Sequence, residues 1–313
     1  MNQPLKAESL ENTLQQVKLR FEKIANAVSE VILGKPEQIK LSLCCILAGG
    51  HLLLEDMPGM GKTTLAQALS KVLGLDYNRI QFTSDMLPAD VLGLSVFKKQ
   101  SETFEFTPGP IFTQLLMADE INRASPKTQS ALLEAMEERQ VSIDGKTLPL
   151  PKPFFVIATQ NPSEQSGVYP LPESQLDRFL MRLSLGFADG AAEREMLQGQ
   201  NPRDRIAELP ALLKASEFEV LSKLVDRVFL AEPTMEYLLR LVHATRAGSH
   251  GLSTRALLAL SRAAKAHALM QGFAEVTPED VQAVFVAVAD HRLIGRPQQQ
   301  KAADLLSATP VIG

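Results

Sequence analysis

The sequence predicts an α/β fold built on a parallel sheet, interrupted by two β-hairpins and followed by an all-helical domain. Three observations predict it. Short apolar runs alternate with helical patterns between 52 and 159, a glycine-rich turn joins the first run to the first of those helices, and strand signals stop near Ala191. The length of 313 residues suits about two domains and a core that needs no disulfide staples.

The first element is an amphipathic helix from Leu10 to Val28, in which Leu10, Leu14, Val17, Phe21, Ile24 and Val28 recur at spacings of four and three. The texture changes after Gly34 and Pro36. The apolar run Leu41 to Ala48 holds the adjacent Cys44 and Cys45, which read as buried thiols in a reducing cytoplasm rather than as a disulfide. Next come a strand at Leu52 to Leu54 with a helix at Thr63 to Leu73, then a strand at Leu115 to Ala118 with a helix at Pro126 to Glu138. A further strand spans Phe154 to Thr159. Strands and helices in this alternation form βαβ units whose sheet is covered on both faces. Val96 to Phe106 and Val141 to Leu150 alternate in polarity instead, the second around an Asp144-Gly145 pair that favours a type I′ hairpin turn. Helices then dominate, at Pro233 to Arg246, Ser253 to Gln271 and Pro278 to His291. The last opens with Thr277 as N-cap, Pro278 at the first helical position and Asp280 three residues after the cap. Its Val281, Val284, Phe285 and Val288 form one stripe. The junction near Asp189-Gly190 divides the chain into 1–190 and 191–313.

Several function classes are excluded. No apolar run approaches the roughly 18–20 residues that span a bilayer, and Met1 to Leu10 lacks a basic region followed by an apolar one, so neither membrane insertion nor export is expected. A net charge of −4 argues against a nucleic-acid backbone as the main partner. His51, His243, His250, His267 and His291 are scattered and supply no metal site.

The strongest motif is Met57-Pro58-Gly59-Met60-Gly61-Lys62-Thr63-Thr64, set between a strand and a helix as a phosphate loop requires. Gly59 and Gly61 let backbone N–H groups turn toward phosphate oxygens, and the helix N-terminus adds its partial positive charge. Lys62 can reach the β- and γ-phosphates, and the Thr63 hydroxyl can hold Mg2+. The strict GxxxxGK[ST] pattern asks for glycine at 56, where this chain has Asp56. The strand Leu115 to Ala118 ends in Asp119-Glu120, 57 residues after Lys62, a gap that accommodates about two further βα units, including an insertion. Strand tips gather at ligand clefts in such sheets, so Asp119 suits the magnesium shell and Glu120 suits the activation of a water. The bland reading is an acidic helix start. The next strand ends in Gln160-Asn161-Pro162, where Asn161 is either a polar sensor of the γ-phosphate or the start of a turn.

Together these segments resemble an AAA+ ATPase, and more closely the MoxR family. The resemblance is carried by Phe104 to Phe112, by Ala118-Asp119-Glu120-Ile121-Asn122-Arg123-Ala124, by Leu132 to Glu137, by Ala158 to Pro162 and by Tyr169 to Phe179, and it extends from Val31 to Leu293. It implies a P-loop NTPase (AAA+) core with a five-stranded parallel sheet and an all-α lid, with ATP and Mg2+ as cofactors. It implies that Arg178 is an arginine finger completing a neighbouring subunit's site, the alternative being a surface salt bridge. Arg255 matches the lid arginine that contacts the γ-phosphate of its own subunit, with Ser253 capping its helix. Arg123 is assigned to the subunit boundary or to none, and Ile32 and Gly34 to the adenine pocket or to core packing. The resemblance further implies a homo-oligomeric ring, expected to be hexameric, which matures or activates client proteins, often with a partner carrying a von Willebrand factor A domain. A nucleic-acid motor and a non-hydrolysing nucleotide-dependent scaffold are the alternatives. Phe97, Phe104 and Phe106 are expected to pack within their hairpin rather than touch a substrate.

Overall fold

The computed structural model describes residues 7–100, 102–161, 167–199, 202–246, 251–293 and 302–311; Pro162 and His250 lie outside them. Nine strands run in chain order: β1 Leu52–Glu55, β2 Tyr77–Gln81, β3 Gly93–Lys98, β4 Thr103–Pro108, β5 Leu115–Asp119, β6 Gln140–Ile143, β7 Lys146–Pro149, β8 Phe155–Gln160 and β9 Met181–Leu183. Five of them form one parallel sheet in the order β2-β5-β8-β1-β9. The helices before β9 are α1 Ala7–Ser29, α2 Pro36–Leu47, α3 Lys62–Val72, α4 Pro88–Leu92, α5 Pro126–Glu138 and α6 Glu173–Leu176. After β9 follow α7 Gly190–Gln198, α8 Pro202–Glu208, α9 Ala215–Val225, α10 Glu232–Thr245, α11 Thr254–Met270, α12 Pro278–Ala289 and α13 Ala302–Ala308.

The period-2 alternation of the strands divides the core in two. Leu52, Leu54, Leu115, Met117, Phe155 and Ile157 face one side and pack with α1, α2, α3 and the helices that follow β9. Leu53, Ile80, Leu116, Ala118, Val156 and Ala158 face the other and pack with α5 and the residues around it. The apolar core of the first face therefore runs without a break into the helical bundle. Cys44 and Cys45 are unpaired thiols in this core, and burial raises the pKa of both.

Both inserted hairpins form as expected. β3 pairs with β4, and β6 pairs with β7 through Asp144 and Gly145, whose φ values of 51° and 75° define the left-handed turn the sequence asks for. In the first hairpin Phe97 pairs with Phe104 across the strands, ring centroids 5.3 Å apart, on an exposed surface, while Phe106 packs edge-on against Phe112 at 5.6 Å. The Lys62 to Asp119 interval differs from expectation. It holds one βα unit, β2 with α4, together with the first hairpin, rather than two units. At the start of α12 the Asp280 carboxylate closes the turn, its Oδ2 accepting from the Thr277 N–H at 2.9 Å and the Thr277 hydroxyl at 3.1 Å.

His51 enters this core as a structural group. Its Nδ1 accepts from the Val156 N–H at 3.0 Å and its Nε2 donates to the Met136 carbonyl at 3.1 Å, which fixes a neutral ring. Burial lowers its pKa from 6.5 to about 4. Below pH 6.5 the unfolded chain binds a proton that the folded chain refuses until about pH 4, so stability declines as pH falls through that window. Denaturant unfolding at pH 7 and pH 5 checks this. In His51→Gln the stability lost between the two should shrink by about 2 kcal/mol relative to the parent; an unchanged loss contradicts the assignment.

Candidate nucleotide site

The loop from Asp56 to Gly61 leaves β1 and enters α3. Gly59 and Gly61 have φ of 85° and 84°, and a Cβ on either would meet nothing within 4 Å. The demand for glycine here is thus conformational: only a residue at ease in the left-handed region turns these amides inward. Lys62 Nζ donates to the Asp56 carbonyl and, at 3.1 Å, to the Met57 carbonyl. Burial lowers the Lys62 pKa, while the carboxylates of Asp56, Asp119 and Glu120 act in the opposite direction. Pro58, Met60, Thr63 and Thr64 line the same cleft of about 350 Å³.

The opposite wall is built from strand tips. Register places Asp119 beside Gln81 on β2, and Glu55 beside Gln160 on β8. The Thr159 hydroxyl donates to Asp119 Oδ1 at 2.6 Å and accepts the Glu120 N–H at 2.9 Å, so one side chain fixes both acids. Asp119 Oδ2 is paired with Arg79 at 2.6 Å. Glu120 has φ 54°, a left-handed geometry that costs a side-chain-bearing residue energy and that clusters at functional sites. It lines the cleft and also pairs with Arg123 at 2.9 Å, so Arg123 lies with Glu120 of its own chain. Asn161 is buried at the cleft floor. The predicted group Lys62, Thr63, Asp119, Glu120 and Asn161 is therefore brought together. Thr63 and Asp119 offer oxygen donors of the kind a hard divalent cation takes when phosphates and water complete its shell. Among the described residues no cluster of three or more His, Cys, Asp or Glu could hold a metal unaided.

A second cavity of about 400 Å³ shares Pro58 to Gly61 and Thr64 with the cleft. Val31, Ile32 and Leu33 form one side, and Gly186, Phe187 and Ala188 another. Ile32 lines this cavity. Gly34 does not, and a Cβ there would come within 2.9 Å of Ala192 Cβ, so at φ 70° it packs closely against α7.

Arg178 and Arg255 lie elsewhere. Arg178 pairs with Glu137 at 3.1 Å, and Arg255 pairs with the same carboxylate. Both line a separate cavity of about 310 Å³ that shares no residue with the phosphate-loop cleft. Ser253 caps α11 by accepting the Ala256 N–H at 3.0 Å, which sets Arg255 in the first turn as expected. In this structure the lid presents Arg255 to Glu137 rather than to the phosphate-loop cleft. Arg292 anchors this face. Its nearly buried guanidinium donates to Asp177 Oδ1 at 2.6 Å, the Phe179 carbonyl at 2.7 Å and the Leu180 carbonyl at 3.2 Å, clamping the segment that carries Arg178. Burial lowers the pKa of Arg292, and Asp177 opposes the shift.

Sequence reasoning missed Arg79, Thr159, Glu137 and Arg292. Thr159 alone carried a signal, its position at a polar strand tip. The others become visible only when β2 is seen at the sheet edge and the lid is docked.

A parallel sheet with a glycine cradle at the tip of β1 and two acids at the tip of β5, with β8 between them, defines a P-loop ATPase core of the AAA+ class, with a helical lid. Residues 51–181 match the family described as ATPase family associated with various cellular activities (AAA), and residues 242–308 match the AAA lid domain. The chain is 44% identical over 279 residues to YeaC of Bacillus subtilis, covering 88% of this chain and 87% of that protein. It is 39% identical over 281 residues to Chaperone MoxR1 of Mycobacterium tuberculosis, covering 85% and 74%. A crystal structure of a candidate ATPase from Cytophaga hutchinsonii superposes with a TM-score of 0.85 at 34% identity, covering 98% of each chain. The chain belongs to the MoxR family of AAA+ ATPases. Its core is therefore a nucleotide-binding one.

Removing the cradle's charge should remove ligand affinity. Lys62→Ala is expected to weaken ATP binding by about 100-fold in calorimetry, from the loss of charge-assisted hydrogen bonds; affinity within about threefold of the parent contradicts the site.

Proposed function

We propose that this protein is an ATP hydrolase whose site is completed by a neighbouring copy in a homo-oligomeric ring, and that it acts chaperone-like on client protein complexes in the cytoplasm. The observation that carries the reading is the division of one chain's polar machinery between two faces. The cleft around Lys62 holds the cradle and both acids, while Arg178 and Arg255 share Glu137 in another cavity.

The chemistry follows from the residues. Backbone N–H groups at Gly59 and Gly61 and the α3 N-terminus bind the triphosphate, and Lys62 exchanges its loop carbonyls for the β- and γ-phosphates. Thr63 and Asp119 would hold Mg2+, which would supply neutralisation of the charge developing on the phosphates. Glu120 orients a water against the γ-phosphorus and accepts its proton as ADP and phosphate separate. Asn161 hydrogen-bonds the γ-phosphate or that water. Arg178 and, in this reading, Arg255 beside it serve the neighbour's nucleotide, stabilising its transition-state charge. Arg292 and the Glu55–Arg182–Asp290 ion triad join core to lid, so loss of the γ-phosphate becomes relative motion of rigid parts. The relative named Chaperone MoxR1 supports a client-directed role, and the family resemblance makes a von Willebrand factor A domain protein a candidate partner. No helix among the described residues is long and apolar enough to cross a membrane. A nucleic-acid motor is disfavoured: Lys98 in the first hairpin is neutralised by Glu105, and the chain is net acidic.

Steady-state turnover tests the assignment. Glu120→Gln should retain ATP binding and lose hydrolysis by at least about 100-fold; undiminished turnover removes Glu120 from its role. Mixtures of Arg178→Ala with Lys62→Ala chains should recover part of the activity that each lacks alone, and failure at every mixing ratio in intact rings contradicts a shared site.

A further inference from the structure

The phosphate loop departs from its strict pattern at one residue, and that residue is the best-connected carboxylate near the cleft. Asp56 is 8% exposed. Its Oδ1 accepts from the Ser184 hydroxyl at 2.8 Å and the Gly186 N–H at 3.3 Å, and its Oδ2 accepts from the Leu185 N–H. Three consecutive residues of the connection between β9 and α7 thus hang on one side chain. The Asp56 carbonyl meanwhile accepts from Lys62. Glycine at this position would leave the Leu185 and Gly186 N–H groups without their acceptor, a cost that buried donors pay in full.

The tethered connection leads directly into the cavity beside the phosphate cradle, which Gly186, Phe187 and Ala188 line together with Val31 and Ile32. Gly186 turns there with φ 60°, and Lys35 holds the next carbonyl, that of Phe187. The wall is therefore held by Asp56 through residues 184–186 and by Lys35 at Phe187. We propose that Asp56 is a positioning residue that sets the base-side wall of the nucleotide site, fixing Gly186 to Ala188 at a defined distance from the loop so that a purine fits between that wall and Ile32. The inference rests on the nucleotide-binding reading above. It gives Asp56 a role in selecting the base, separate from gripping the phosphates.

The two roles separate experimentally. Affinities for ATP and UTP, each with Mg2+, are measured by calorimetry on the full chain, on Asp56→Gly and on Ser184→Ala. The parent should favour ATP by about tenfold or more. Asp56→Gly restores the strict loop pattern and keeps the cradle, so UTP affinity should change by less than about threefold while ATP affinity falls about tenfold. Ser184→Ala, which removes only the hydroxyl bonded to Asp56 and leaves residues 56–64, Asp119 and Glu120 unchanged, should shift the ratio in the same direction by about twofold to threefold, and it reports even if Asp56→Gly fails to fold. Equal weakening of both nucleotides, an unchanged ratio in both variants, or a parent that does not discriminate overturns the positioning role. A parent that binds neither nucleotide overturns the nucleotide reading itself.

Discussion

Parallel pairing of β8 with both β5 and β1 brings Asp119, Gln160 and Glu55 to one edge of the sheet, and the cleft depends on that alignment. Because side chains alternate along a strand, a slip of one residue would turn Thr159 away from Asp119 and from the Glu120 amide. The pairing is held by apolar contacts on both faces of the sheet, so the acids owe their geometry to Leu52, Met117, Ile157 and their neighbours rather than to each other. Thr159 then converts alignment into fixed geometry with two hydrogen bonds. The left-handed backbone at Glu120 is affordable only because its surroundings are rigid.

The same rigidity organises the opposite face. Arg292 reaches from the turn that follows α12 to the segment 177–180, and its desolvated guanidinium is satisfied almost entirely by backbone carbonyls and one carboxylate. Such a buried cation is stable only when fully partnered, so lid and segment are locked into one register. Arg178 and Arg255 consequently converge on Glu137 from two different parts of the chain. Glu137 keeps both oriented and neutralised.

Much of this was legible in the sequence, for identifiable reasons. The cradle, the acids at the β5 tip, both hairpins, and the boundaries of α5, α10, α11 and α12 follow from local pattern, because backbone geometry and helix caps leave their mark within a few residues. The Ser253 cap and the Thr277–Asp280 turn are examples. β2 was hidden because it is an edge strand with only Ile80 fully buried, so no alternation survives. β9 was hidden because three residues carry no period. α2 was seen only as an apolar run, since its buried face is nearly continuous from Ser42 to Leu47. The location of Arg255 and the packing of Gly34 depend on how lid and core dock, which no local pattern encodes. The departure at Asp56 was visible as an anomaly, and its partners at 184–186 lie too far along the chain to be read without the fold.

The central claim is that the triphosphate site is whole only between two copies. Specific ATPase activity measured across a dilution series, with oligomer mass recorded on the same samples, tests it most directly. Turnover per chain should rise and saturate together with assembly. A nucleotide-saturated sample that stays monomeric throughout yet turns over ATP at its full rate contradicts the account.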